Sequence, residues 1–234
     1  MKVFTGRRDE SCAMAAAEIA RLVNTKPDCV LALSASESLL GIYSALLRCG
    51  ADFSQCTVFL TEEFAGIDEF DCRSRYARLR AALDGPGGVP AERIYFPAAS
   101  GDLDAECAAY DGLMADAGGI DLVLLAIGGN GRIAFNEPLT QFDSSTHVGK
   151  LTEVTREEEG RDFGSDAPEK GVTLGIRSIM RSKRVVLAAF GGGLADTVHR
   201  AVSGRPHISV PASLLQLHDN VQVYLDEGSA SLLS

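Results

Sequence analysis

The sequence lacks the patterns that most often place a chain in a membrane, around a metal or in a disulfide framework. No apolar run approaches the ~20 residues that a membrane-spanning helix needs, and residues 1–9 are polar and charged, unlike a secretory signal. None of the six cysteines belongs to a CxxC pair or has a histidine at zinc-ligand spacing. We therefore expect a cytoplasmic protein with reduced thiols, no metal site and no membrane association.

Basic residues are also in short supply. The 22 Lys and Arg residues are outnumbered by 32 Asp and Glu residues, which gives a formal net charge of −10. Such a chain repels a phosphate backbone, so nucleic acid and anionic membranes are poor partners. A small anionic substrate is still compatible with this charge, because a local pocket can be positive on an acidic protein.

Apolar runs typical of buried strands alternate with stretches of helical periodicity along the chain. The predicted strands cover 29–33, 57–60, 93–96, 120–127, 185–190 and 221–225. The predicted helices cover 11–23, 39–47, 73–83, 102–117 and 194–202. This alternation predicts one α/β domain over residues 1–234, with a mostly parallel, doubly wound (Rossmann-like) sheet and helices on both faces. The charged segment 152–170 lacks periodicity and is predicted to be a surface flap.

Four polar or glycine-rich segments each follow a predicted strand. They cover 34–38, 61–67, 128–138 and 191–193. Ligands of open α/β sheets bind beyond the carboxyl ends of the strands. If the four strands are neighbours, the segments meet in one crevice, and we expect the functional site there.

The glycine turn after the strongest predicted strand is the first candidate. Gly128, Gly129 and Gly131 permit a tight turn whose backbone amides face a ligand, and the turn holds Arg132 and Glu137 nearby. The plainer interpretation is a strand-to-helix turn with solvated charges. The residues of this turn do not decide between the two.

Two further segments carry acids and hydroxyls. Glu62 and Glu63 suit acid–base chemistry if burial raises a pKa, or they are exposed acids of a turn. Ser34, Ser36 and Ser38 precede a predicted helix, where hydroxyls and free amides favour an anion. The alternative for these serines is ordinary helix capping.

The run Phe135-Asn136-Glu137-Pro138 behind the glycine turn resembles the signature of the glucosamine-6-phosphate (or galactosamine-6-phosphate) isomerase/deaminase family. Segments 59–66, 172–176, 211–218 and 226–227 resemble further family segments in the same order, so the similarity covers nearly the whole chain. The Phe-Asn-Glu-Pro run distinguishes this branch from the related 6-phosphogluconolactonases. The chain is thus identified as a divergent member of the family.

The resemblance implies a reaction and a set of site residues. Family members open the sugar ring, move a proton between C1 and C2, and release ammonia to leave a ketose phosphate. By position, Glu62 is the proton-shuttling base and Glu137 is retained. Asn130 and Arg132 occupy the positions of the aspartate and histidine that support ring opening, and Arg161 that of a phosphate-binding arginine. The resemblance implies no metal or organic cofactor, and a small-molecule sugar phosphate as partner.

The chain also departs from the family pattern at several of these positions. Arginine stays protonated near neutral pH, so Arg132 does not relay a proton as a histidine does. Leu194 replaces a lysine of the phosphate site, and Glu37 lies in the loop that normally carries glycines. Ser34, Ser36, Ser38, Gly129 and Gly131 are left as candidate substrate-binding residues beside Arg161.

Three functions are compatible with this pattern. The chain is an amino-sugar-phosphate isomerase/deaminase with altered catalytic residues and weak or changed activity. Alternatively, it acts on another sugar phosphate or a sugar acid, including hydrolysis of the 6-phosphogluconolactonase type, with Arg132 binding an anionic group. The third is a non-catalytic sugar-phosphate sensor. The sequence allows a homo-oligomer in each case.

Overall fold

The computed structural model of the 234-residue chain describes residues 1–233, which form ten β-strands and seven α-helices. The strands are β1 (Lys2–Gly6), β2 (Val30–Leu33), β3 (Thr57–Leu60), β4 (Glu62–Phe64), β5 (Ile94–Tyr95), β6 (Leu122–Ala126), β7 (His147–Lys150), β8 (Lys170–Thr173), β9 (Val185–Ala189) and β10 (Val221–Asp226). The helices are α1 (Arg8–Thr25), α2 (Leu40–Arg48), α3 (Arg75–Ala82), α4 (Leu103–Asp116), α5 (Glu153–Glu159), α6 (Ile176–Arg181) and α7 (Ala195–Val202). Short 3-10 helices cover Glu37–Leu39, Ala91–Arg93, Arg161–Asp166, Gly192–Leu194 and Pro211–Leu217.

Seven strands form a parallel sheet in the order β1-β10-β9-β6-β2-β3-β5. The central strands are apolar throughout because both of their faces are buried. In β6, Leu122 and Leu124 pack under α1, α2 and α3, whereas Val123 and Leu125 pack under α4, α6 and α7 on the other face. The predicted α/β class, the mostly parallel sheet and the helices on both faces are therefore confirmed.

A second, antiparallel sheet of three short strands lies beyond the carboxyl end of β3. Its order is β4-β8-β7, and a single residue, Thr61, separates β3 from β4. Phe64, Phe135 and Leu151 form a small core of their own beneath it. This sheet holds the residues after β3 rigidly beside the glycine turn.

The predicted elements are close to those of the structure, but the prediction lacked α5, α6 and the short strands β1, β4, β7 and β8. The strand 57–60 coincides with β3, and the other predicted strands and helices differ from the structure at their ends. The segment 152–170 is not a structureless flap, since it contains α5 and the first residue of β8. The edge strand β1 was not predicted, because Lys2–Gly6 is mostly exposed and has no apolar run. Among residues 1–233, no helix combines the length and apolarity needed to cross a bilayer.

Candidate active site

The four strands that precede the predicted site segments are consecutive in the sheet. They are β9, β6, β2 and β3, so the segments after them meet at one edge as the sequence predicts. A cavity of about 420 Å³ opens there, and its walls include Ser36, Ser38, Glu158, Glu159 and Arg161. A larger cavity of about 510 Å³ lies along α3, away from the strand ends, so volume does not identify the site.

Glu62 begins β4, and only 3% of its surface is exposed. Its carboxylate accepts hydrogen bonds from the hydroxyl of Ser34, at 2.6 Å, and from that of Thr61. Burial raises the pKa of Glu62, while the charge of Arg75 and these hydrogen bonds oppose the shift. A buried carboxyl group with a raised pKa suits proton transfer, and the alternative of an exposed turn acid is wrong for Glu62.

The neighbouring Glu63 is also buried but has a structural role. Its carboxylate accepts hydrogen bonds from the backbone amides of Phe64, Arg75 and Tyr76 at 2.8 to 3.0 Å. The last two amides lie in the first turn of α3, where four amides lack helical partners. Glu63 therefore fixes the start of α3, and of the two acids Glu62 is left as the catalytic candidate.

Backbone groups of the glycine turn are already occupied by the chain itself. The amide of Gly129 donates to both carboxylate oxygens of Glu158, at 3.1 and 3.2 Å. The amide of Gly131 donates to the carbonyl of Gly128 at 2.8 Å. A Cβ atom at Gly128 would lie 2.6 Å from the Arg132 side chain, so glycine is needed here for close packing. A ligand that binds the Gly129 amide has to displace Glu158.

Asn130 and Glu137 form the fixed part of the turn. The amide group of Asn130 donates to Glu137 at 2.7 Å and to the hydroxyl of Thr152 at 3.0 Å. Glu137 also accepts from the backbone amide and hydroxyl of Thr152, both at 3.1 Å. Asn130 can donate this hydrogen bond because its side chain is a neutral amide, whereas an aspartate at position 130 would repel the carboxylate of Glu137. The pair holds the turn against the N-terminus of α5.

Arg132 is buried and is bound to carboxylates of its own chain. Its guanidinium donates to Glu159 at 2.8 Å, to Glu158 at 3.3 Å and to the carbonyl of Ala134 at 3.0 Å. Only 3% of Arg132 is exposed, and it is not among the residues that line the cavity. In this arrangement Arg132 neutralises the carboxylates of Glu158 and Glu159 and does not face the cavity.

Sequence reasoning missed Glu159 and Arg75, which form the centre of the site. One carboxylate oxygen of Glu159 accepts a hydrogen bond from Arg75 at 2.5 Å. The other oxygen accepts from Arg132 at 2.8 Å and from the hydroxyl of Ser36 at 3.1 Å. Burial alone would raise the pKa of Glu159, but the charges of Arg75 and Arg132 hold it well below its usual range. Arg75 is fully buried, with its guanidinium 4.9 Å from the centre of the Phe64 ring.

A sequence signal for Arg75 does exist. It lies four residues before Leu79, which is fully buried, so the two residues share the inner face of α3. An arginine on a buried face requires a buried partner. For Glu158 and Glu159 the only signal is the run of three glutamates at the end of α5, which equally suits a solvated face.

The serine loop has a different role from helix capping. Ser36 precedes the 3-10 helix at Glu37–Leu39, but its hydroxyl bonds with Glu159 and with Ser38, at 3.2 Å, and not with the helix amides. Arg161 is exposed at the cavity wall, and its Nε donates to the carbonyl of Glu157 at 3.3 Å. Within residues 1–233, no cluster of three or more His, Cys, Asp or Glu residues could hold a metal ion.

Comparisons with known proteins agree with this architecture. The sequence model of the glucosamine-6-phosphate isomerases/6-phosphogluconolactonase family matches residues 8–224. A glucosamine-6-phosphate deaminase of Clostridium botulinum strain Hall is 36% identical in an alignment of 233 positions, which covers 97% of this chain and 96% of the relative. One from Halalkalibacterium halodurans is 35% identical over 234 residues, covering 97% and 95%.

Solved structures give the same result at two levels of similarity. A monomeric glucosamine-6-phosphate deaminase has a TM-score of 0.95 at 35% identity and covers 99% of this chain and 100% of its own. The 6-phosphogluconolactonase of Trypanosoma brucei has a TM-score of 0.79 at 19% identity, with coverage of 100% and 98%. At that lower identity the likeness shows a shared fold only.

Proposed function

Because the chain belongs to the glucosamine-6-phosphate isomerase/6-phosphogluconolactonase family, we propose that it converts an amino-sugar 6-phosphate to a ketose phosphate and ammonia, slowly. The observation that carries this proposal is the buried carboxyl group of Glu62. It lies at the carboxyl end of β3, bonded to Ser34, with a pKa that burial raises. A buried carboxyl group with a raised pKa can act in turn as a general base and a general acid.

The proposed reaction starts from the open-chain amino sugar. Glu62 takes the proton from C2 and returns it to C1, and a second proton passes from the amine nitrogen to the aldehyde oxygen. C1 thereby becomes a CH2OH group and C2 becomes an imine. Water then hydrolyses the imine, so that ammonia leaves and a ketose remains. One water is consumed and one ammonia is released for each substrate, with no oxidant or reductant.

Ring opening is the step that this site supports poorly. Arginine does not relay protons as histidine does, and Arg132 is held by Glu158 and Glu159. Asn130 donates its amide hydrogens to Glu137 and Thr152 and has no charge to offer. We therefore propose that turnover depends on sugar that has opened in solution, and that the rate is low for this reason.

Access to Glu62 also limits the proposed reaction. Glu159 lines the cavity, whereas Glu62 is not among the cavity-lining residues. A substrate reaches Glu62 when the carboxylates of α5 leave Arg132 and the Gly129 amide. The same closed arrangement specifically favours a second candidate, a protein that binds sugar phosphates without converting them.

The test is ammonia release from glucosamine-6-phosphate and galactosamine-6-phosphate, with hydrolysis of 6-phosphogluconolactone assayed in parallel. We expect slow ammonia release that Glu62→Gln abolishes. Glu92→Gln is the control, because Glu92 is an exposed acid outside this cavity. Ammonia release at the wild-type rate by Glu62→Gln would contradict the proposal. Binding of the sugar phosphate without any turnover would favour the non-catalytic candidate.

We further propose that the protein works in the cytoplasm on this small molecule and has no nucleic-acid partner, as its net charge of −10 suggests. The sequence allows a homo-oligomer. The relative with the TM-score of 0.95 is described as monomeric, which favours a monomer for this chain too. Light scattering at several protein concentrations tests that choice.

A further inference from the structure

Two arginines from separate elements face the cavity at the strand ends. Arg8 is the first residue of α1, and Arg161 begins the 3-10 helix after α5; both are exposed and both line the cavity. We propose that Arg8 is a phosphate-binding residue that acts together with Arg161. This inference rests on the proposed function and adds a residue that no motif of the sequence indicates.

The loop after β2 is poorly suited to hold a phosphoryl group alone. The hydroxyl of Ser36 is bonded to Glu159 at 3.1 Å, and that of Ser38 to Ser36 at 3.2 Å. Glu37 adds a negative charge to the lining of the cavity, and Leu194, which also lines it, is apolar. A phosphoryl group needs cationic donors, so they must come from elsewhere around the cavity.

Arg8 is available for this role. Among residues 1–233 its side chain forms no ion pair within 4.0 Å, whereas the adjacent Arg7 is paired with Glu10 at 2.7 Å. The Arg8 guanidinium lies 5.3 Å from the centre of the Phe190 ring, and Phe190 itself lines the cavity. Stacking on an aromatic ring orients the guanidinium without neutralising its charge.

The charges around the cavity favour an anion at this point. Its charged lining residues are Arg8, Glu37, Glu158, Glu159 and Arg161. The two glutamates of α5 that line the cavity form ion pairs with the buried Arg75 and Arg132, which neutralise their charges. That leaves two positive charges against the single, exposed carboxylate of Glu37. The cavity is therefore locally positive on an acidic chain.

One competing carboxylate is Asp226, on which the charge of Arg8 also acts. Asp226 accepts hydrogen bonds from the backbone amides of Gly191, at 2.8 Å, and of Ser229, also at 2.8 Å. Its oxygens are thus engaged in holding the loop after β9. The N–H groups of Arg8 are left for a ligand, and two parallel N–H donors match the oxygens of a phosphoryl group.

The test measures binding of inorganic phosphate, glucosamine-6-phosphate and glucosamine by isothermal titration calorimetry. We expect Arg8→Gln to weaken binding of both phosphate-bearing ligands about tenfold or more, the loss typical of one charge-assisted hydrogen-bonded contact. Binding of glucosamine should not change. Arg7→Gln is the matched control, since it removes a neighbouring charge that is paired away from the cavity. Leu194→Lys in the Arg8→Gln background should restore much of the phosphate binding.

The inference is overturned if Arg8→Gln and Arg7→Gln bind the phosphate-bearing ligands equally well, or if wild-type protein binds neither of them. These results are separable from those of the proposed function. Phosphate binding that depends on Arg8, with no ammonia released, would contradict the proposed catalysis and support the role of Arg8 in phosphate binding. Ammonia release that Arg8→Gln leaves unchanged would do the reverse.

Discussion

Asn130 and Glu137 are joined by a hydrogen bond that suits an amide and a carboxylate but not two carboxylates. Their atoms lie 2.7 Å apart, and only 8% of Glu137 is exposed. Restoring an acid at position 130 would bring two negative charges together and remove the donor. Substitution here therefore affects the turn before it affects any reaction.

We predict that Asn130→Asp lowers the free energy of unfolding by about 2 kcal/mol at neutral pH, because a part-buried hydrogen bond is lost and like charges meet. Urea denaturation measures this loss. Adding Glu137→Gln to Asn130→Asp restores one donor and one acceptor, and should recover most of the stability. If the double variant is as unstable as Asn130→Asp, the pair is not coupled.

Glu62 connects stability to pH. Its folded-state pKa lies above its unfolded value because burial disfavours the charged form. The unfolded chain therefore loses this proton first, and stability falls as pH rises from the ordinary glutamate range through the raised pKa. The stabilising contribution is present at low pH and is lost above that window.

We predict that Glu62→Gln is stabilised relative to wild type more at pH 8 than at pH 5, because glutamine does not ionise. Midpoints of thermal unfolding of the two proteins across this range measure the difference. Ser34→Ala serves as the control, since it removes a hydrogen bond to Glu62 but leaves the ionisable group. A difference that does not change with pH would contradict the assignment.

At the scale of elements, α5 is held by its last two residues. Side-chain exposure is 11% for Glu159, which contacts two buried arginines, and 32% for Glu158, which shares one of them. Glu157 is exposed. Three consecutive glutamates of one helix thus differ mainly in burial and partners.

We predict a graded loss of unfolding free energy along this run. Glu159→Gln should cost about 3 kcal/mol, because it leaves Arg75 and Arg132 buried without a full counter-charge. Glu158→Gln should cost about 1 kcal/mol, and Glu157→Gln less than about 0.5 kcal/mol. Equal losses at all three positions, measured by urea denaturation, would show that α5 is not held in this way.

The elements that the sequence predicted well are those that pack through apolar side chains. β3, β6 and β9 are continuous apolar runs because the sheet is covered on both faces. α5 escaped prediction because its contacts with the rest of the protein are ionic, and Glu159 carries no apolar signal. Short strands such as β4 take their pairing from distant partners, which local sequence does not encode.

The same distinction applies to the candidate site. Its location follows from the order of strands and loops, but neither Glu62 nor Glu137 lines the cavity at the strand ends. The state of Arg132 could not be predicted, because it depends on Glu158 and Glu159, more than twenty residues away in sequence. An arginine that faces a ligand and one that is neutralised by its own chain look identical in sequence.

At the scale of the whole molecule, the two large hydrophobic cores, one on each face of the seven-stranded sheet, share the strands between them. Leu124 packs into one core and Leu125, the next residue of β6, into the other. Neither core can open without exposing the same strands. We propose on this basis that residues 1–234 fold as one domain.

We predict that Leu124→Ala and Leu125→Ala each cost about 2–5 kcal/mol and shift one common transition. Circular dichroism and tyrosine fluorescence, which the lack of tryptophan makes readable, should give the same midpoint for each variant. A biphasic curve in which only one phase responds to each substitution would show two independently folding units.

The carboxylates of Glu158 and Glu159 compete with any anion from solution for binding to Arg132. Glu158 and Glu159 are covalently tethered to the cations they bind, so they are present at an effective concentration of roughly millimolar or above, whatever the protein concentration. An anion from solution binds Arg132 only in the fraction of molecules in which the helix end has left, and its apparent affinity falls by that fraction. Weak anions at micromolar levels therefore leave Arg132 bound to its own chain, and screening for ligands that bind Arg132 has to begin at much higher concentrations.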